Sequence, residues 1–164
     1  AFYYSNFFKE VYALDKSKIV INLKKKKNKS FKNKIFFFHK NIALKNLIIK
    51  KKFENICARF FLHTLNEEEE KIFFFNIKKI IKKNTLIFLE FRTIKDDLMK
   101  KGKKLSKYER LYGHYRRFIN TLDLKKKFKN YNLKILYESQ SKNFSIFRNQ
   151  KPHLARFILK KHDL

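Results

Sequence analysis

The chain has 164 residues, 44% of them apolar and 17% aromatic, with 20 Phe and 8 Tyr; this is too hydrophobic for a disordered tail and long enough for one domain with its own core. Lys and Arg number 42 against 14 Asp and Glu, giving +28, a charge that attracts polyphosphate and raises a nucleic-acid partner, although an AT-rich coding sequence also produces a chain rich in Lys, Asn, Ile and Phe, and both readings stay open. A single Cys57 excludes an internal disulfide, the Cys and His spacing holds no metal set, and no apolar run approaches the ~20 residues of a membrane-spanning helix.

The sequence opens at Ala1 with AFYYSNFF, without a Met, a basic stretch before an apolar core, or an Arg/Ser-rich amphipathic leader. The expectation is either a removed upstream segment or a piece of a longer chain. An intracellular, reducing setting, cytoplasmic or organellar, is expected, with no metal.

Val11 to Leu14 is a short apolar run closed by Asp15, read as a strand. Ile19, Val20 and Leu23 recur at helical spacing within Lys16 to Lys29. Ile35 to Phe38 is the next β-rich run, closed by His39, Lys40 and Asn41. Leu44 to Lys52 is ambiguous and superficial, and Ile56 to Leu62 reads as a buried strand interrupted by Arg59. Asn66 before Glu67, Glu68, Glu69 and Glu70 marks a helix start, with carboxylates at the positive end of the dipole and Glu69 closing a capping box. Ile72, Phe75, Ile77, Ile80 and Ile81 continue that helix. The four carboxylates are explained by helix-start electrostatics without a metal.

With 2 Gly and 1 Pro, turns of positive φ must use Asn, Lys or Ser, and Lys82 to Asn84 is one candidate. Leu86 to Phe91 follows as an apolar strand. Lys95 to Lys107 is loop-like, Leu122 to Tyr131 a basic helix, and Leu133 to Tyr137 and Leu154 to Leu159 are strands. Between them, Phe144, Ile146 and Phe147 suggest a further short strand or hairpin. Strands separated by helices imply an α/β domain with a mainly parallel sheet ending in an antiparallel pair. Without an internal repeat or visible boundary, residues 1–164 are read as one domain.

The order RFFLHTLNEEEE, LIFLEFRTIKDDLMKKGKKL, HYRRFI, LKILYESQSKNFSIF and PHLARFILKK from Arg59 to Lys160 resembles the C-terminal half of a class I S-adenosylmethionine-dependent methyltransferase. The resemblance implies a Rossmann-like sheet with helices on both faces, mainly parallel with an antiparallel C-terminal strand, and S-adenosylmethionine as cofactor. It extends in weaker form to the N-terminal residues. Val11 to Asp15 then corresponds to the second strand, with Asp15 accepting from the cofactor's ribose hydroxyls. Phe36 to Ile42 corresponds to the third strand and its exit, placing Asn41 and Ile42 at the adenine; an Asn oxygen accepts the amino hydrogen bond without a charge.

Phe53 to His63, FENICARFFLH, resembles the fourth strand and the loop beside the transferring methyl group. It follows the pattern Phe-Asp-x-Ile-Tyr-x-Arg-Phe-x-Leu-His, with Glu54, Arg59 and His63 matching in type and Cys57 replacing the aromatic. The resemblance implies that Arg59 grips an anionic group and His63 acts as general base. From the residues alone, an Arg satisfied by backbone carbonyls and a His capping the next helix stay open. Glu90 and Arg92 resemble the end of the fifth strand, where ligands of open α/β sheets sit. Asp96, Asp97 and Gly102 match a Lys-Asp-x-x-x-x-Lys-Gly loop. His114, Tyr115, Arg116 and Arg117, followed by Phe118 and Ile119, suit bidentate orientation of a phosphate or carboxylate, or RNA binding by stacking and charge.

The family's first strand and its Gly-x-Gly loop, which lie between the second and fourth strands, have no counterpart, because neither glycine is near the N-terminus. Two functions are therefore expected in the alternative. One is methyl transfer to a small polar or anionic substrate, an enzyme if the cofactor loop exists upstream. The other is a noncatalytic, highly basic RNA-contacting component of a ribonucleoprotein such as an organellar ribosome, to which the runs Lys24 to Lys27, Lys50 to Lys52 and Lys125 to Lys127 would contribute.

Overall fold

Val11 and Ala13 alternate along a strand and turn inward onto Ile21, Ile35 and Phe37, which with Phe2 form the core of a unit spanning Ala1–Leu47. Strands β1 (Glu10–Asp15) and β2 (Lys34–His39) pair in parallel, with Asp15 opposite His39. Parallel neighbours need a crossover, supplied by helix α1 (Lys18–Asn28). Ser17 Oγ accepts from Val20 N at 3.3 Å and starts this helix, while Lys25, Lys26 and Lys27 fall in its last turn, where the dipole favours cations. This computed structural model describes residues 1–28, 34–146 and 150–162; the expected helix end at Lys29 lies outside them.

A second unit covers Ile48–Leu164. Its four-stranded sheet has the order β3 (Phe53–Arg59), β4 (Ile81–Arg92), β9 (Leu154–Lys161), β8 (Leu133–Ser141). β3 and β4 are parallel, and β9 runs antiparallel to both β4 and β8. Helix α2 (Glu67–Ile80) joins β3 to β4, and α3 (Thr121–Asn130) precedes β8. Aromatic packing fixes both helices to one face of the sheet. Phe91 and Phe157 stack at 5.8 Å, Phe128 of α3 meets Phe157 edge-on at 5.6 Å, and Phe74 of α2 meets Phe128 at 5.7 Å. These rings are completely buried, each worth about 2–3 kcal/mol of apolar burial.

The capping box at α2 forms as its sequence predicts. Asn66 Oδ1 accepts from Glu69 N at 2.8 Å, and Glu69 Oε2 accepts from Asn66 N at 2.9 Å. At the other end the turn expected at Lys82 to Asn84 does not form. Those residues are extended within β4, because Ile81 already has β backbone (φ −93, ψ 150). Thr85 then fastens the strand: its hydroxyl accepts from Lys82 N at 2.7 Å and donates to Phe53 O at 2.5 Å. Outside glycine, positive φ occurs among the described residues at Asn132, in the turn between α3 and β8, and at Phe60. The strand expected at Ile56 starts earlier, at Phe53, and ends at Arg59.

Between β4 and α3 lies a separate antiparallel sheet of β5 (Lys103–Lys104), β6 (Glu109–Tyr112) and β7 (His114–Arg117). The stretch read as a loop therefore contains β5 and a single 3-10 turn at Asp97–Lys100. Gly102 is required here: it has φ +75, and a Cβ would stand 2.4 Å from Leu111 O. Ile119 N donates to Arg92 O at 3.1 Å, and Ile94 N to Ile119 O at 3.1 Å, so the exit of this insertion is stitched to the end of β4. Phe144 and Ile146 belong to no strand, and Phe147 lies outside the described residues. The architecture is α/β with a mixed sheet and an antiparallel C-terminal strand, and among the described residues β1 and β2 form a two-stranded sheet of their own. No described helix is long and apolar enough to cross a membrane.

Candidate functional site

In the first unit, Asp15 and Asn41 stand at the carboxyl ends of adjacent parallel strands. This is where open α/β sheets bind ligands, because the chain turns away and leaves polar groups facing outward. Asp15 Oδ1 accepts from Ser17 N at 2.7 Å, and its second oxygen has no partner among the described residues. Lys40 N donates to Asp15 O at 3.1 Å, and His39 Nε2 lies 2.9 Å from Lys16 O, which ties the two strand ends together. Asn41 Oδ1 accepts from Ala43 N at 2.9 Å in an Asx turn. Ile42 is half-buried beside it.

In the second unit, the end of β3 carries Arg59, whose Nε donates to Glu90 Oε1 at 2.7 Å and whose Nη2 donates to Ser145 Oγ at 2.8 Å. Arg156 approaches the other oxygen, Nε to Glu90 Oε2 at 2.7 Å, and lies 4.3 Å from the Phe144 ring centroid. Glu90 is thus a buried carboxylate clamped between two guanidiniums. Immediately after Arg59, Phe60 has φ 52 and donates its N–H to Glu90 O at 2.8 Å. A bulky residue in that region is strained, and such strain gathers at functional turns.

A second group forms where β4 ends. Arg92 Nη1 donates to Asp96 Oδ2 at 2.8 Å, and the same oxygen accepts from His153 N at 2.9 Å. His153 Nδ1 is 2.7 Å from Thr93 Oγ1. His63, buried in the turn after β3, has its Nδ1 3.4 Å from Arg92 N. Burial first, then the charges of Arg92, Arg116 and His114, push the His63 pKa down to about 3. His63 is therefore neutral at ordinary pH and a weak proton acceptor. The same neighbours show that β7 brings Arg116 and His114 to this end: Arg116 Nη2 lies 3.4 Å from His114 Nδ1, and Nη1 donates to Tyr112 O at 2.6 Å. Burial and the Arg92 charge also push the Arg116 pKa down, as expected of guanidiniums that share a region with few carboxylates.

Tyr115 and Arg117 point to the other side of β7. Tyr115 donates to Glu109 Oε1 at 2.5 Å, and burial with that bond raises its pKa. Arg117 Nε donates to Leu65 O at 2.8 Å, and its Nη2 is bonded to Glu70, which also accepts from Lys127 Nζ at 2.8 Å. Arg117, Glu70 and the half-buried Lys127 line a cavity of about 360 Å³ among α2, the insertion and α3. The expected six-residue motif is thus split: His114 and Arg116 join His63 and Arg92, Tyr115 ties β7 to β6 through Glu109, and Arg117 holds the insertion onto α2. Glu90 was placed by the sequence at the end of its strand beside Arg92, but His153 and Arg156 were not selected, because nothing local announces that β9 and the residue before it come to lie beside β4.

By sequence the chain matches no family model and no curated protein. Its fold is similar to solved structures at low identity. An S-adenosylmethionine-dependent methyltransferase from Clostridium acetobutylicum superposes with TM-score 0.76 at 15% identity, over 98% of this chain and 78% of that one. A methyltransferase of the same kind from Methanosarcina mazei gives 0.76 at 13%, over 93% and 82%. The 1,6-didemethyltoxoflavin-N1-methyltransferase of Burkholderia thailandensis, solved with 1,6-didemethyltoxoflavin and S-adenosylhomocysteine, gives 0.66 at 11%, over 94% and 62%. The chain has the fold of a class I S-adenosylmethionine-dependent methyltransferase.

Proposed function

We propose that the two units are parts of one S-adenosylmethionine-dependent methyltransferase domain that acts on a small polar or anionic substrate, and that its glycine turn lies outside the sequence given. The observation that carries this reading is Asp15, a carboxylate at the carboxyl end of a parallel strand with one oxygen used locally and the other open. That geometry fits a ribose diol, which needs acceptors and no counter-charge. Asn41 and Ile42 form the adenine side. When bound, the cofactor supplies an activated methyl group.

The chain's own contribution is positioning. Arg92 and Arg116 present cationic donors towards an anionic group of the substrate, His114 lies beside Arg116, and Asp96 keeps Arg92 in place. Arg59 is oriented by Glu90 while its side chain remains over half exposed, so it can turn a donor to substrate without leaving its partner. His63, neutral and buried, holds the turn after β3, and its lowered pKa makes it a weaker general base than a free histidine. Methyl transfer from methyl-labelled S-adenosylmethionine to a panel of carboxylate and phosphate acceptors tests this. Arg116→Lys keeps the charge and removes the planar fork, so turnover should fall while cofactor affinity holds. An active protein indifferent to changes at both Asp15 and Arg116 would refute the assignment.

A second reading is favoured by the position of the glycines. Gly102 and Gly113 both belong to the insertion between β4 and α3, so no described residue offers a glycine turn beside β1. On this reading the fold is retained without catalysis as an RNA-contacting component of a ribonucleoprotein. Inactivity of the chain even when extended upstream, together with retained RNA binding, would select it.

A further inference from the structure

We propose that the end of the second unit remote from Arg59 and Arg92 is a docking surface for single-stranded nucleic acid, a property independent of whether methyl transfer occurs. The topology gathers there the last turns of α2 and α3, the start of β8 and the end of β9. Lys78 and Lys79 close α2, Lys129 closes α3, Lys134 begins β8, and Lys160 and Lys161 end β9. None of these six forms an ion pair among the described residues.

Among the described residues of this unit, carboxylates are distributed in the opposite sense. Glu67 to Glu70 start α2, Asp123 starts α3, and Glu90, Asp96 and Asp97 lie at or beyond the end of β4. Near the lysine-rich end stands Glu54, held by Lys82 Nζ at 3.3 Å, and in mid-strand Glu138, held by Lys125 at 2.9 Å. Helix-start electrostatics account for Glu67 to Glu70 and Asp123, but not for Glu90, Asp96 and Asp97 at the opposite end of β4. Helix dipoles explain Lys78, Lys79 and Lys129, yet not the strand residues. Lys134 and Lys160 are directly opposed across β8 and β9, an arrangement that is repulsive unless an anion offsets it.

The ligand class follows from the side chains. Lysines contact phosphates as point charges without the planar fork of arginine, which suits a backbone-tracking, sequence-tolerant site. Phe75 is 53% exposed on the outer face of α2, with Lys79 Nζ 4.2 Å from its ring centroid; an exposed ring beside cations is a stacking platform for an unpaired base. A membrane surface would favour a single basic amphipathic helix, whereas these cations come from four elements.

The test is fluorescence anisotropy with labelled oligouridine at two salt concentrations. Lys129→Glu/Lys134→Glu/Lys160→Glu should weaken binding by about tenfold or more and lower the salt slope, with circular dichroism confirming the fold and the corresponding Gln variant giving a smaller loss in the same direction. Lys100→Glu/Lys103→Glu/Lys104→Glu, an equal charge change in the insertion, should have less than a third of that effect. Phe75→Ala should weaken oligouridine more than duplex RNA. Equal losses from both charge-reversal sets would overturn the proposal in favour of diffuse attraction to a +28 chain. So would phosphatidylserine vesicle binding that the first set abolishes while RNA binding survives.

Discussion

Arg116 and Arg117 are neighbours in sequence and face opposite sides of β7: Arg116 lies against His114 among the cations at the end of β4, whereas Arg117 is buried on Glu70 and Leu65 O. Their substitutions should therefore separate. Arg117→Ala leaves Glu70 buried with Lys127 as its remaining partner and should cost about 3 kcal/mol of stability, the scale of breaking a buried ion pair. Arg116→Ala should cost under about 1 kcal/mol and act on turnover. Urea denaturation of both variants measures the difference; equal destabilisation would contradict it.

Acid should destabilise the second unit through His63. Its folded pKa of about 3 lies below the ordinary 6.5, so between those values the unfolded chain takes up a proton that the folded chain refuses. Stability is thus lost as pH falls through 6.5 towards 3. His114 and His153 are pushed the same way, by burial first. Denaturant midpoints measured across this window should drop, and His63→Gln should flatten the curve. An unchanged slope in that variant would mean that His63 protonates freely in the folded state.

Gly102→Ala should lower stability by about 2 kcal/mol or more, because it adds the strain of a positive φ to a clash with Leu111 O. Gly113, also at positive φ but with open space around its Cβ position, should lose only about 1 kcal/mol as Ala. Thermal melts of the two variants rank them. The reverse order would show that the insertion turns differently.

Much of the fold was legible because its signals are local. Asn66 with four following glutamates fixes the start of α2, and Asp15 and Asn41 are found by what ends an apolar run. The candidate site of the second unit was only half legible. Strand alternation would have separated Arg116 from Arg117 had HYRRFI been read as a strand, but the pairing that brings Arg156 and His153 to Glu90 and Asp96 is an antiparallel return across more than fifty residues. The turn expected at Lys82 to Asn84 failed because Thr85 satisfies the backbone of a direct helix-to-strand switch, a tertiary bond that no window of sequence contains.

The carboxyl ends of β1 and β2 are proposed to hold the ribose and adenine of S-adenosylmethionine, and an NMR titration of the isotope-labelled chain with S-adenosylhomocysteine reads that contact. Binding should be weak without a glycine turn, yet the amides of Ser17, Lys40 and Ala43 should shift in a saturable way. Asp15→Ala should weaken the apparent affinity by the ~1.5–3 kcal/mol of hydrogen bonds to a charged acceptor. Absence of shifts at these amides, or shifts that persist unchanged in Asp15→Ala, would mean that Asp15 does not hold the ribose.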